Sequence, residues 1–432
     1  MTSILHELKK VWGETTTPFF IRGFESLSFA EVSNHGGVDL SSIREGDVVA
    51  LIGDFDAISV NTLLRLIDIK VVIVPLTEDT KHLHESFFES AHVDVVINRD
   101  GLFRRNPGVS NPLLDELRAR RRAGLVLFSS GTTGAPKAIL HDFSLFLERY
   151  MTPRPSLRTL GFLLFDHIGG INTLMHTLFN RGVVIVPEER SPKKVLEACS
   201  DHNVEVLPTT PTFLRMMLIS GAIPEAVPKS LKIVTYGTEK MDQSTLDSLC
   251  ELLPGVDFRQ TYGMSELGIL RVKSKARNSL FMRIGGEGVQ FKVVEDVLFI
   301  KSETRMLGYL NAASPFDEDG WYNTKDIVEE RDGLFSIVGR TSETINFGGL
   351  KFLPSEVENV ALSFPNVAFA KAIGRPNPIT GQHVELVVQE TTPGGVDLES
   401  LKRHLRANLQ DHMIPKRVSL GEVSFGHRFK KL

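Results

Sequence analysis

Cysteine is nearly missing from this chain: two thiols, Cys199 and Cys250, in 432 residues. Two thiols build no disulfide framework and their separation fits no metal-ligand spacing, so a reducing compartment is expected. Long apolar runs are missing too. No stretch reaches the ~18 residues a membrane-spanning helix needs. The opening Met1-Thr2-Ser3-Ile4-Leu5-His6 lacks a secretory apolar core. A surplus of basic charge is also absent. Lys and Arg number 49 against 53 Asp and Glu, a net charge of −4, which leaves no electrostatic footprint for nucleic acid. There is no internal repeat and no low-complexity tract. The expectation is a cytoplasmic protein with no nucleic-acid partner and no membrane span. The apolar fraction of 42% is ordinary, and the length favours two domains over one core.

The most informative stretch that is present is Phe128-Ser129-Ser130-Gly131-Thr132-Thr133-Gly134-Ala135-Pro136-Lys137. It follows an apolar run at 124–128 that reads as a short buried strand. Gly131 and Gly134 let backbone N–H groups approach an oxyanion. Ser129, Ser130, Thr132 and Thr133 add hydroxyl donors, and Lys137 adds positive charge. The combination suits a polyphosphate. It is not a Walker A loop, which needs Ser or Thr after Gly-Lys; Pro136-Lys137-Ala138 stands here instead.

Short apolar strands and helices alternate along most of the chain. Strands are expected at 46–52, 70–76, 93–97, 183–186, 204–207 and 232–235. Helices are expected at 61–69, 193–201 and 212–219. This pattern means parallel sheets with both faces buried. The character changes at 286–300, where two apolar runs flank Glu295-Asp296 and read as a hairpin in a smaller β-rich subdomain. From Thr341 a compact α+β unit is expected. Its first helix opens at Pro354, with acids in the first turn. A strand follows at 384–388, and Leu401, Leu405 and Leu409 line one face of a basic helix. The basic run Arg118 to Arg122 reads as a charge cluster coating a loop.

Three further segments carry chemistry. Thr261-Tyr262-Gly263-Met264-Ser265-Glu266 joins an aromatic ring to a carboxylate through a glycine. Gly320-Trp321-Tyr322-Asn323-Thr324-Lys325-Asp326 ends in an acid suited to ribose hydroxyls. Gly339-Arg340-Thr341-Ser342-Glu343-Thr344-Ile345-Asn346-Phe347-Gly348-Gly349 follows, with Lys351, Pro354, Glu356 and Glu358 behind it. Together with the Ser129–Lys137 loop, in this order and at these distances, they resemble the adenylate-forming (AMP-binding) superfamily. Its members include acyl- and aryl-CoA synthetases, the adenylation domains of nonribosomal peptide synthetases, and beetle luciferases. The likeness runs from about Val49 to the C-terminus.

The resemblance implies a large α/β domain at residues 1–340, made of layered, mainly parallel sheets with helices plus the small β-rich subdomain. A small mobile α+β domain at 341–432 completes it. The implied reaction activates an acid by attack of its carboxylate on the α-phosphorus of ATP. It then passes the acyl group to a pantetheine thiol of CoA or of a carrier protein. Ser129, Ser130, Gly131, Thr132, Thr133, Gly134 and Lys137 would hold the phosphates. Glu266 would help bind Mg²⁺. Gly237 and Thr238, within Thr235-Tyr236-Gly237-Thr238-Glu239, would form one wall of the adenine pocket; Thr261, Tyr262 and Gly263 would form the other. Asp326 would accept from both ribose hydroxyls, and Arg340 would contact the ribose or the α-phosphate.

Four departures from the family pattern stand out. Ala138 follows the loop lysine where glycine is usual. Lys325 precedes Asp326 where family members mostly have glycine, and either pairs with Asp326 or points away. Ser342 sits at the hinge position, where Asp or Lys is usual. The family's C-terminal Gly-Lys element meets Gly426-His427-Arg428-Phe429-Lys430-Lys431 here. Strict alignment puts His427 at the lysine position, while a short shift offers Lys430 or Lys431, of which Lys430 is favoured. The implied catalytic set is Lys430, Glu266 and Thr133.

On the acid side, Phe162-Leu163-Leu164-Phe165-Asp166-His167-Ile168-Gly169-Gly170 resembles the acyl-binding segment of CoA synthetases. His167 is the substrate-contact candidate. Asp166 is ambiguous, because amino-acid-activating relatives use a Phe-Asp pair here to hold the substrate ammonium. Gly348 and Gly349 would line the thiol tunnel. Phe165 and Phe213 suit an aryl or medium acyl group, and the sequence does not choose between them. The expectation is an acid–thiol ligase using ATP, Mg²⁺ and CoA, with any carrier protein acting in trans and a homodimer left open. A degenerate adenylate-binding protein without thioester activity is the non-catalytic rival.

Overall fold

The computed structural model describes residues 3–105, 110–129, 136–223, 227–426 and 428–429. Its architecture follows from strands buried on both faces. In Val48–Ile52, Val49 and Leu51 face one core while Val48 and Ala50 face another. Val183–Val186 divides its residues in the same way between two cores. A strand flanked by apolar layers on both sides needs apolar residues at every position. That is why these runs read as continuous rather than alternating.

Two seven-stranded sheets form the large part. One has the order Asp257–Gln260, Ile233–Tyr236, Val206–Thr209, Arg158–Leu160, Val183–Val186, Pro18–Arg22 and Glu25–Ser28, parallel until the last pair. The other has the order Gly308–Tyr309, Lys137–Asp142, Gly124–Ser129, Val72–Leu76, Val48–Ile52, Val95–Asn98 and Gly101–Arg104. Its middle is parallel and its two edges antiparallel. The core between the sheets is sealed by the helices Ile4–Trp12, Ala57–Ile69 and Ile168–Phe179.

A six-stranded antiparallel sheet holds the expected hairpin, Val289–Val294 with Val297–Ser302, and pairs Tyr322–Arg331 with Leu334–Arg340. The last sheet is built from Leu350–Phe352, Ile345–Phe347, Gly381–Glu390, Val367–Asn377 and Arg417–Leu420. The helices Pro354–Leu362 and Leu398–Asn408 share its core. Arg215, buried on the helix Pro211–Ile219, pins this unit to the large one. It donates to the carbonyls of Ala368 at 2.5 Å and Val367 at 3.0 Å. Phe369, Val423 and Phe425 pack beside it against Met216 and Ile219.

Several expectations shift. The helix expected at 61–69 starts at Ala57, because Asp56 caps it by accepting the Ser59 N–H at 2.8 Å. Leu409 falls past the end of the helix Leu398–Asn408, so Leu401 and Leu405 alone are its buried leucines from that face. The arginine cluster is not a bare loop coat. Arg118 ends a helical turn, and Arg118, Arg120, Arg121 and Arg122 each meet an acid: Asp115, Glu116, Glu45 and Asp142. Among the described residues no helix is long and apolar enough to cross a membrane.

Candidate functional site

The hairpin of Gly124–Ser129 and Lys137–Asp142 sets Ser129 opposite Lys137, one at each root of the expected phosphate loop. Ser130, Gly131, Thr132, Thr133 and Gly134 lie outside the described residues. Asn311 braces the second root, donating to the Pro136 carbonyl at 2.9 Å and accepting the Ala138 N–H at 2.9 Å. The Lys137 ammonium stands 4.8 Å from the centre of the Tyr309 ring. The Tyr309 hydroxyl donates to Glu266 Oε1 at 2.8 Å, and Glu266 is buried. A basic residue, an aromatic ring and a carboxylate thus stand in line.

His141, on the same strand as Lys137, ties the two motifs together. Its Nε2–H donates to the Ser265 carbonyl at 2.6 Å, beside Glu266. Burial drops its pKa to about 4, so the ring is neutral at pH 7.

Asp326 is 3% exposed, and each of its carboxylate oxygens has one partner. Oδ2 accepts from the Tyr262 hydroxyl at 2.6 Å, and Oδ1 accepts from Arg340 Nε at 2.8 Å. Asp326 and Arg340 are direct partners across an antiparallel ladder, so the sheet itself delivers this ion pair. Burial, and behind it the Asp326 charge, holds the Tyr262 phenol well above its ordinary pKa. The group is therefore a fixed donor. Tyr322 feels the charge of both carboxylates. Burial and then the Glu266 charge raise its pKa, with a smaller push from Asp326. Tyr309 and Tyr322 were missed in reading the sequence. The available signal was scarcity: the chain has five tyrosines, and Tyr262, Tyr309 and Tyr322 meet here.

Lys325 points away, being exposed, while Asp326 pairs with Arg340. Its backbone sits at φ +61°, the left-handed region that favours glycine, which accounts for the glycine expected at this position. The wall segment is equally constrained. A Cβ on Gly237 would lie 2.2 Å from Thr261 Oγ1 and 2.6 Å from the Thr261 carbonyl, so only glycine lets the two segments touch. Thr238, Thr261 and Gly263 are exposed around that contact.

The acid side is built differently. His167 caps the helix Ile168–Phe179 by accepting the Gly169 N–H on Nδ1 at 3.0 Å. The Asp166 side chain is 3% exposed, and Arg428 Nη2 donates to its Oδ2 at 3.2 Å. Asp166 is therefore already paired within the protein. The Phe429 ring sits 5.4 Å from Phe162 and 5.1 Å from Phe213, centre to centre. Neither Arg428 nor Phe429 was singled out from the sequence; an aromatic inside a basic tail was the signal. Lys430, the favoured catalytic lysine, lies outside the described residues, as do His427 and Lys431. Gly348 and Gly349 form the exposed turn between Ile345–Phe347 and Leu350–Phe352, with φ of +60° and +93°. No described contact joins them to the acid side.

The site's donors fit Mg²⁺ bound chiefly through a polyphosphate. Glu266 offers one carboxylate with Oε2 still available, and no group of three His, Cys, Asp or Glu side chains gathers among the described residues. Mg²⁺ takes one or two carboxylates and completes its shell with phosphate and water.

The profile of the AMP-binding enzyme family matches residues 47–304, and that of the AMP-binding enzyme C-terminal domain matches residues 356–423. The uncharacterized acyl–CoA ligase YhfT of Bacillus subtilis is 27% identical over 327 residues, covering 69% of this chain and 65% of its own length. The fatty acid–[acyl-carrier-protein] ligase MmaC of Mycobacterium marinum is 27% identical over 333 residues, 68% of this chain and 62% of its own. The chain spans between 61% and 65% of the length of the first curated relatives it matches. Among solved structures, the anthranilate CoA ligase AuaEII in complex with anthranoyl-AMP superposes with a TM-score of 0.80. The match covers 99% of this chain and 95% of that one, and at 16% identity it establishes a shared fold.

Proposed function

This chain belongs to the AMP-binding enzyme family, and on that premise we propose that it is an ATP-dependent acid–thiol ligase. The substrate carboxylate attacks the α-phosphorus of ATP and pyrophosphate leaves; the pantetheine thiol, that of CoA, then attacks the acyl carbonyl of the adenylate and AMP leaves. The observation that carries the reading is Asp326, gripped by Tyr262 and Arg340, with Glu266 near enough that Tyr322 feels both charges.

In the first step Asp326 has lone pairs left to accept from the ribose hydroxyls, since each oxygen is engaged once. Arg340 keeps donors beyond its Nε for the ribose or α-phosphate. Thr238, Thr261 and Gly263 border the adenine, with the Tyr262 ring behind it. Ser129, Lys137 and the loop between them hold the departing phosphates, and Thr133 is a donor within that loop. Mg²⁺, held by Glu266 and phosphate oxygens, would offset the phosphate charge. Neutral His141 keeps the Lys137 strand and Glu266 in register. His167, whose Nδ1 accepts from its own helix, is the candidate contact for the substrate carboxylate.

For the second step residues 341–432 would rotate as a unit about Ser342, bringing Gly348 and Gly349 to the thiol. Cys199 and Cys250, both free, suit a cytoplasmic enzyme. A carrier protein in trans is the second acceptor considered, because the relative MmaC is named for one.

ATP–pyrophosphate exchange over benzoates, cinnamates, fatty acids and amino acids, repeated with and without CoA, tests the reading. Exchange with one acid class plus a thioester product is expected. Exchange without a CoA product would move the acceptor to a carrier protein. ATP binding without exchange for any acid would sink the ligase.

A further inference from the structure

We propose that the acid pocket of this chain is a two-part site. Its aromatic wall, Phe429, arrives on the C-terminal segment and is latched there by Arg428 on Asp166, so the tail takes part in choosing the substrate. The inference rests on the ligase reading above and names the substrate class: a compact carboxylic acid with an apolar or aromatic body and no α-ammonium.

A tight cleft of only about 20 Å³ is left at this place with the tail docked, bordered by Phe162, Leu164, His167, Thr210, Arg428 and Phe429. Phe162 and Phe213 belong to the core of the first sheet, where their rings stand 4.4 Å apart. Phe429 closes on both. Its ring takes the space into which a longer acyl chain would extend between them. Two polar contacts hold it. The Thr210 hydroxyl donates to the Phe429 carbonyl at 3.2 Å, and the neighbouring Arg428 pairs with Asp166. Phe429 has φ +52°, a region that costs a bulky residue free energy. Packing of the half-buried ring against two phenylalanines offsets that strain.

The latch also settles charge. Asp166 stands where amino-acid-activating relatives hold a substrate ammonium, but Arg428 neutralises it from within the chain. Asp166 Oδ1 and Arg428 Nε are buried with no partner among the described residues. A second cation in this pocket would compete with Arg428, whereas an uncharged body would not. Phe429 is thus a specificity residue, and Arg428 and Asp166 are positioning residues.

The test compares kcat/KM in ATP–pyrophosphate exchange over graded straight-chain acids and substituted benzoates, in wild type, Phe429→Ala, Phe429→Leu, Phe429→Trp and Asp166→Asn. Phe429→Ala should raise the large-to-small acid ratio by about tenfold or more. Phe429→Trp should lower the ratio, and Phe429→Leu should restore most of the wild-type profile. Asp166→Asn should raise KM for the acid severalfold with KM for ATP unchanged. An equal loss across all acids in Phe429→Ala, with the ratio unchanged, would overturn the proposal, since a merely structural ring has no reason to discriminate by size. Binding of the corresponding acyl-sulfamoyl adenosines, followed by calorimetry, separates the two readings. Size-dependent affinity that shifts in Phe429→Ala, with no exchange for any acid, supports the pocket and removes the ligase. No size dependence removes the pocket, and binding of none of the analogues removes both.

Discussion

The two halves of the site are held together in opposite ways. Around Asp326, on the nucleotide side, the partners are nearer in the chain. Asp326 and Arg340 are 14 residues apart on paired strands, Tyr262 is 64 residues from Asp326, and each Asp326 oxygen has a donor. On the acid side Asp166 and Arg428 are 262 residues apart, and each leaves a buried polar atom without a partner among the described residues. Under the proposed reaction the nucleotide is the same in every turnover, so its contacts profit from being fixed before it arrives. The acid side includes a tail that docks from the far end of the chain, and its hydrogen bonds unmet among the described residues mark where an interaction is still to be made.

The largest effect should come from breaking the fixed side. Asp326→Ala should lower kcat/KM for ATP in pyrophosphate exchange a few hundredfold, or ~3 kcal/mol, because a buried, doubly bonded carboxylate is lost. A drop under threefold would mean that the nucleotide side is not prewired. The next test uses pH. The buried His141 has a folded pKa of about 4 against an ordinary 6.5. Below pH 6.5 the unfolded chain takes up the proton first, so stability is complete above that value and falls toward pH 4, by about 3 kcal/mol in all. His141→Gln, which keeps a donor for Ser265, should flatten this slope in urea unfolding. An unchanged slope would assign it to other groups.

Smaller effects sharpen the contrast. Tyr309→Phe removes the hydroxyl on Glu266 and should slow exchange about tenfold, ~1.4 kcal/mol. Equal rates for the variant and wild type would detach Tyr309 from the site. Arg215→Ala loosens the C-terminal unit on the large one. It should raise KM for the acid about fivefold, ~1 kcal/mol, and leave KM for ATP alone. Equal changes in both would erase the distinction between the two sides. Lys325→Gly relieves a left-handed backbone and should stabilise the fold by about 0.5 kcal/mol. A loss of stability in that variant would show that the lysine side chain contributes something the backbone account omits.

Much of this was legible in the chain, and the reason differs from element to element. Val183–Val186 matches its expected limits because a strand buried on both faces has no choice but apolar residues. The expected strand at 204–207 lies at Val206–Thr209 instead, since an apolar run alone does not say where the ladder with Ile233–Tyr236 begins. Tyr262, Glu266, Asp326 and Arg340 were legible through order and spacing, and the structure gathers them. The roles of Tyr309 and Tyr322 were not, because a tyrosine announces nothing until its hydroxyl has a partner. Arg428 and Phe429 were read as part of a basic tail, since their partners lie more than two hundred residues upstream.

The sequence by itself determined the layered sheets, the β-rich subdomain and which residues were proposed for the nucleotide. Burial on two faces restricts composition, and the close approach of Gly237 to Thr261 restricts residue type. Only the tertiary structure decided which charges pair and which ring closes the acid cleft. Those choices depend on where distant segments dock, and pairing energies of a few kcal/mol are set by distances that no local pattern encodes.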